Sequence, residues 1–325
     1  MMREKMRGMR KNFRDVGTSI FLDRTRPRGT TVLYSSGRSG STWLSELLHS
    51  IPGTRLVFEP FHPRHGLKEL ADFRYRYVPP GDSIPLLDDT YSAVLSGSRT
   101  TPWIEQLNRP WSFVYTSRIV KLVRVNLLVP WLVQRHPDHR YILLLRHPAA
   151  VVLSQLRKGW RLSSARIEAQ EALLERPAIS ALGRFGWPTS GFLSNLVFWA
   201  AENSLAIEHA LASNSMIVFY EELCSSPDLV LDEIGDYLER PLPANASSSI
   251  NRVSWSSDAE VASMSVIEKI SRWTEDLSEQ QKTELSDVLH ASGLNRFYSL
   301  DPMPVESAIN FVREHNQQIR SIRKV

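Results

Sequence analysis

YSSGRSGSTWL (residues 34–44) crowds glycine, serine and threonine around a single arginine, between an apolar run and an apolar helix pattern. The residues before it, TTVLYSS (30–36), are β-branched and apolar and stop at Gly37, which predicts a buried strand. The residues after it, STWLSELLHSI (41–51), carry apolar side chains at helical spacing. A strand that turns straight into a helix leaves backbone N–H groups unpaired at the positive end of the helix dipole, a ready anion site. Gly37 and Gly40 would let the backbone come close to a phosphate. Ser39, Ser41 and Thr42 add hydroxyls, and Arg38 adds a charge that can fork onto an anion. The phosphate loop G-x-x-x-x-G-K-[ST] is absent, because the two glycines are too close and no lysine precedes Ser or Thr. A tight turn capped by Ser39 or Ser41 is the competing reading.

Working outward, the same alternation recurs. TRLVFEP (54–60) and RIVKLVRV (118–125) read as strands, and RYILLLR (140–146) is the strongest strand of the chain. Pro148 follows it where proline favours a helix start, and Ser154 lies two turns along that helix. Helices are expected at 127–136, 191–212, 227–238 and 278–291, and SMIVFYEEL (215–223) is a strand running into a helix. Residues 61–110 and 161–190 are mixed insertions. Strand–helix alternation implies parallel strands with helices on both faces, and ligands bind beyond the carboxyl ends of such strands. Arg146 closes a strand at such an end. A charge there is costly unless it serves an anion or a salt bridge.

The 325-residue chain suffices for one large α/β domain, and no repeat or low-complexity linker divides it. The expected organisation is a basic extension over residues 1–28 and one domain over 29–325. A net charge of +4 is too mild to indicate nucleic acid. One cysteine, Cys224, excludes a disulfide framework and a cysteine-based zinc site and allows a reducing compartment. No apolar run approaches the length of a membrane span. A cytoplasmic location is expected, with the basic N-terminus as a candidate membrane-surface contact. The pairs His62/His65 and His136/His139 are interrupted by prolines, and no metal is expected.

SSGRSGSTWL resembles the 5′-phosphosulfate loop of sulfotransferases that use 3′-phosphoadenosine 5′-phosphosulfate (PAPS), in the R-S-G-S/T form found in glycan-modifying members. YILLLRHPAAVVLSQL is similar to the family's 3′-phosphate motif, with Arg146 and Ser154 in its two binding positions. MIVFYEELCSSPDLVLDEIGDYLERPL (216–242) and ISRWTEDLSEQQKTEL…GLNRFYS (270–299) resemble later family segments. The resemblance implies a three-layer α/β sandwich with a central parallel sheet, like P-loop nucleotide hydrolases. It implies PAPS as donor, 3′,5′-bisphosphoadenosine (PAP) as product, and a hydroxyl acceptor on a glycan or glycoconjugate. It places Gly37, Arg38, Ser39, Gly40, Ser41, Thr42 and Trp43 on the donor, with Arg252 and Ser254 of INRVSWSS (250–257) as further candidates.

Sulfuryl transfer needs an in-line acceptor oxygen, a proton acceptor, and stabilisation of the departing phosphate. Arg38 is the candidate for the leaving oxygen. In FEPFHP (58–63), the resemblance favours Glu59 as base, with His62 in reserve. Phe58, Pro60 and Phe61 would desolvate Glu59 and raise its pKa. The competing role for Glu59 is a strand-end ion pair with Arg146, Arg124 or Lys121. Strand alternation puts Lys121 and Arg124 on opposite faces, so they are not expected to share a task. The acceptor pocket must come from the insertions, which carry Phe61, Phe73, Tyr75 and Trp103 and are bordered by Trp160. Two other readings stay open: a nucleotide-dependent phosphotransferase on the same fold, and a non-catalytic module that binds PAP or a glycan.

Overall fold

The computed structural model describes residues 22–108, 114–243 and 265–323. Five parallel strands form the central sheet: β1 (Thr30–Ser35), β2 (Thr54–Phe58), β3 (Ser117–Val123), β4 (Arg140–Leu145) and β5 (Met216–Phe219). Their spatial order is β2-β3-β1-β4-β5. Every residue of all five strands is buried, as expected for a sheet covered on both faces.

The period-two alternation of the strands sorts their side chains into two cores. Leu33, Leu56, Ile119, Ile142 and Leu144 face one layer. There they meet Leu44, Leu47 and Leu48 of α1 (Ser41–His49). Val32, Tyr34, Val120, Leu122 and Leu143 face the other layer. Helices α2 (Pro85–Leu95), α3 (Val129–Arg135), α4 (Pro148–Arg157) and α5 (Gly191–Ala212) pack on that side. Next in the chain, α6 (Pro227–Leu238) returns to the α1 layer with Leu231 and Ile234, and α7 (Glu279–Ala291) joins the α5 layer with Leu285 and Val288. This is the expected three-layer α/β arrangement. The insertions fold as short helical pieces, among them a 3₁₀ turn at Lys68–Phe73 and four-residue helices at Ala165–Glu168 and Glu171–Leu174.

The structure also holds an element absent from the sequence expectations, the 18-residue helix α8 (Glu306–Arg323). It packs along β5, one edge of the sheet. Asn316 is buried, accepts from Ile217 N–H at 3.0 Å and donates to Ile217 C=O at 2.8 Å. The opposite edge, β2, is treated the same way. Asn108 accepts from Leu56 N–H and donates to Leu56 C=O, both at 2.8 Å. A side-chain amide has the donor and acceptor of a peptide group, so each asparagine satisfies one residue of an otherwise open edge.

Asn316→Ala removes both partners of a buried peptide unit. It should lower the free energy of unfolding by about 2 kcal/mol, read from urea denaturation. An unchanged midpoint and slope would show that solvent replaces both bonds.

Candidate active site

The chain leaves β1 through a loop that only glycine could form at two positions. A Cβ on Gly37 would lie 2.3 Å from Cζ3 of Trp160. Gly40 has φ +90°, and its Cβ would lie 2.6 Å from Cδ2 of Tyr220. Between them Arg38 also turns left-handed, at φ +79°, a conformation uncommon outside glycine. The loop thus runs beneath two aromatic rings. Side chains from α4 and α5 hold it from below. Gln155 donates to Gly37 C=O at 3.0 Å, and Asn203 donates to Ser36 Oγ at 2.8 Å. Ser36 Oγ in turn donates to Glu202 Oε1 at 2.5 Å.

Gly40 is the N-cap of α1, and no side chain caps the helix. The first-turn N–H groups therefore stay available to a ligand, where the turn-and-cap reading had Ser39 or Ser41 consuming one. Ser39, Ser41, Thr42 and Trp43 are buried in this turn, while Arg38 and Gly40 are partly exposed.

The structure brings Arg38, Arg146 and Ser154 together. Arg38 Nε donates to Ser154 Oγ at 3.1 Å, and Arg146 Nη1 donates to Arg38 C=O at 3.2 Å. The Arg146 guanidinium lies over the Tyr220 ring, 4.3 Å from its centroid. The start of α4 behind them is buttressed from VFYEEL. Glu221 Oε1 accepts from His147 N–H at 2.8 Å, and Tyr298 donates to its Oε2 at 3.3 Å. His147 itself is fully buried and stacks on Trp273 at 3.9 Å. Burial pushes it down to about 3, so it is neutral. Arg252 and Ser254 lie outside the described residues.

Glu59 follows β2 directly and has φ +41°. Its carboxylate takes two cations: Lys121 Nζ on Oε1, and Arg124 Nη1 on Oε2 at 3.3 Å. Lys121 is buried and lies over the Phe58 ring. The alternation argument had separated Lys121 from Arg124. It fails because β3 ends at Val123 and Arg124 has φ +74°, which turns its side chain back towards Lys121. The expected pKa direction also reverses. Burial alone would raise the Glu59 carboxyl, but Lys121 and Arg124 outweigh it and hold it below the usual carboxylate value. The Arg124 guanidinium lies over Trp160 at 4.7 Å, the ring that closes on Gly37, so Glu59 and the glycine loop share a wall.

His62 follows in the turn after Glu59, its N–H donating to Glu59 C=O at 2.9 Å. Its ring lies 4.4 Å from Trp103, whose Nε1 donates to Glu59 C=O at 3.3 Å. Its Nδ1 accepts from Arg64 and His65 N–H, at 3.3 and 3.2 Å. Burial first, then the neighbouring cations, push it down to about 4 despite Glu59. The neutral ring with Nδ1 so engaged carries its proton on Nε2 and presents a donor.

Sequence reasoning did not find Glu202, Asn203 or Gln155. The signal was present in FWAAENSLA, where a Glu-Asn pair interrupts an otherwise apolar helix stretch. Such a pair must find partners when buried. Burial pushes Glu202 up to about 7, with Ser36 and Arg124 opposing. A carboxyl raised in the folded state favours folding while protonated, and that contribution is lost as pH rises from its ordinary 4.5 towards 7. Between pH 5 and 8 the stability of wild type relative to Glu202→Gln should therefore fall, by up to about 3 kcal/mol. Urea titrations across that range would read it, and a pH-independent difference would show that Glu202 is ionised throughout.

A sequence model described as the sulfotransferase domain matches residues 29–286. No curated protein matches the chain significantly. Solved structures with a similar fold include the sulfotransferase domain of the curacin biosynthetic pathway, with 18% identity over 83% of this chain and 99% of that one, TM-score 0.44. A mouse sulfotransferase, SULT7A1, complexed with PAP has 15% identity over 86% and 89%, TM-score 0.48. The sulfotransferase domain of a Synechococcus PCC 7002 olefin synthase has 16% identity over 85% and 97%, TM-score 0.44. Likeness at this level bears on neither substrate nor residue roles. The sequence-model match, which takes in both the glycine loop after β1 and the Arg146–Ser154 segment after β4, establishes that the chain belongs to the sulfotransferase family.

Proposed function

We propose that this sulfotransferase moves the sulfuryl group of PAPS to a hydroxyl of a carbohydrate. The observation that carries the donor reading is the meeting of Arg38, Arg146 and Ser154 above the uncapped start of α1. The cradle fits a phosphate-bearing donor: a Cβ at Gly37 or Gly40 would collide with the rings over the loop. Arg38 and the first N–H groups of α1 hold the 5′ end and stabilise charge on the departing phosphate. Arg146 and Ser154 hold the 3′-phosphate.

In the transfer, the acceptor oxygen forms a bond to sulfur as the bond from sulfur to the phosphate oxygen breaks. The acceptor proton passes to Glu59, and the electron pair of the broken bond leaves on PAP. Glu59 is ionised at any working pH, since Lys121 and Arg124 keep its pKa low. A weak base of this kind accepts the proton late, once bonding to sulfur has made the hydroxyl acidic. His62, as an Nε2 donor, is better placed to orient the acceptor than to deprotonate it. Support for a sugar acceptor comes from the R-S-G-S form of the loop. Trp103 also supports it, a partly exposed ring stacked on His65 and tilted against His62 beside the Glu59 carbonyl, because flat aromatic faces suit sugar rings. No helix among the described residues is long and apolar enough to cross a membrane. A cytoplasmic location and a single catalytic domain over 29–325 belong to the same reading.

PAP should raise the melting temperature of the full chain. Arg146→Ala should weaken PAP by about tenfold to a hundredfold, the loss of one charged hydrogen-bonding partner. Glu59→Gln should lower kcat by roughly 10²- to 10⁴-fold while PAP affinity stays within about threefold. Full turnover by Glu59→Gln would remove the base assignment, and unchanged PAP affinity in Arg146→Ala would remove the 3′-phosphate assignment.

A further inference from the structure

A pocket of about 460 Å³ lies between residues 72–77 and residues 166–172. That volume is in the range of small-molecule sites. Arg74, Arg76 and Arg166 are among the residues that line it, Arg76 and Arg166 exposed. Several arginines elsewhere meet carboxylates: Arg55 and Arg118 meet Asp23, Arg124 meets Glu59, and Arg176 meets Glu208. Among the described residues, none of the three pocket arginines forms an ion pair, although Asp72 and Glu171 also line the pocket.

The pocket is built rather than incidental. Gln170 accepts from Tyr77 N–H at 2.7 Å and donates to Tyr75 C=O at 3.1 Å, tying one wall to the other. Arg166 lies over the Tyr75 ring at 5.4 Å and donates to Arg74 C=O at 3.3 Å, which fixes its guanidinium over the opening. Tyr75 has φ +57°, a strained setting for an aromatic residue. Its N–H donates to Arg124 C=O at 2.8 Å, and its ring packs edge-on against Phe198 at 5.1 Å. One residue of the pocket wall is therefore bonded to the residue whose guanidinium holds Glu59. An acceptor that offers its hydroxyl to Glu59 would extend over Tyr75 towards the three arginines.

We infer that this pocket is an acceptor subsite for an anionic substituent, so that the enzyme selects acceptors bearing a carboxylate or a sulfate beside the reacting hydroxyl. The inference rests on the sulfuryl-transfer reading of the Glu59 side of the site. Guanidiniums with no internal carboxylate, two of them over aromatic rings (Arg166 on Tyr75 and Arg76 on Phe73), suit forked bonding to either oxyanion.

The test is isothermal titration of the full chain with three disaccharides: a neutral one, its uronic-acid counterpart and its singly sulfated counterpart, each with and without saturating PAP. At least one anionic form should bind about tenfold or more tightly than the neutral parent, and comparison of the two arms identifies the oxyanion. In the double variant Arg74→Gln/Arg76→Gln, and separately in Arg166→Gln, that preference should fall to roughly threefold or less with PAP affinity unchanged. Arg296→Gln, an exposed arginine outside the pocket, serves as the matched control and should keep the full preference. The double variant leaves the Arg166–Tyr75 stack in place, so loss of fold in Arg166→Gln alone does not obscure the result. Equal binding of all three sugars, binding of none, or a preference that survives in the double variant overturns the subsite. Failure of PAP to bind would instead strike the donor reading, and the titrations without PAP would still judge the pocket.

Discussion

Two neighbouring parallel strands that end within one residue of each other set up the functional end of this protein. β1 and β4 pair in register from Thr31↔Arg140 to Tyr34↔Leu143. One connection then leaves β1 through Ser36–Gly40, and the other leaves β4 through Arg146–Pro148. Because α1 packs on the Leu33 face and α4 on the Tyr34 face, the two connections diverge and leave a crevice between them. A slip of one residue in the pairing would exchange the faces of Leu143 and Leu144 and wreck both cores. The apolar packing of the sheet therefore also fixes the distance at which Arg38 meets Ser154 and Arg146.

Charge is distributed unequally between the two ends of that sheet. At the amino end, Arg55 and Arg118 share Asp23, and Arg55 also takes Glu105, so two cations face two carboxylates. Thr30, Leu95 and Gly97 accept further guanidinium bonds. That end is internally balanced, as a buried ionic cluster must be to persist. At the carboxyl end, Lys121 and Arg124 share one carboxylate, Glu59, while Arg38 and Arg146 bond to a hydroxyl and to carbonyl groups. Two cations meeting one carboxylate hold Glu59 ionised, the state a proton acceptor needs.

Much of this was legible in the sequence where a rule of local structure applied. The β1–α1 and β4–α4 units follow from apolar runs ended by Gly37 and by Arg146-His-Pro148, and the structure places them at 30–49 and 140–157. Readings failed where a single backbone torsion or a distant partner decides the outcome. Lys121 and Arg124 meet because Arg124 adopts a positive φ just past the strand, which alternation cannot see. Helix α8 went unread because ESAINFVREHNQQIRSIR is mostly polar, and its reason to fold is the edge of β5. The Glu59 carboxyl was expected to shift upward from its apolar sequence neighbours. The cations that reverse the shift lie 62 and 65 residues away.

The same distance effect gives the glycines of the loop a second meaning. Gly37 lies under Trp160 and Gly40 under Tyr220, too close for any Cβ. Each of those rings also carries a guanidinium on it, Arg124 on Trp160 and Arg146 on Tyr220. A side chain at either glycine would therefore displace a ring and, with it, an arginine that faces the site. Tightness of the loop and placement of the cations around it are thus one requirement. The loop can be tight only because its glycines let the rings down, and the rings, once down, hold Arg124 at Glu59 and Arg146 at the carbonyl of Arg38.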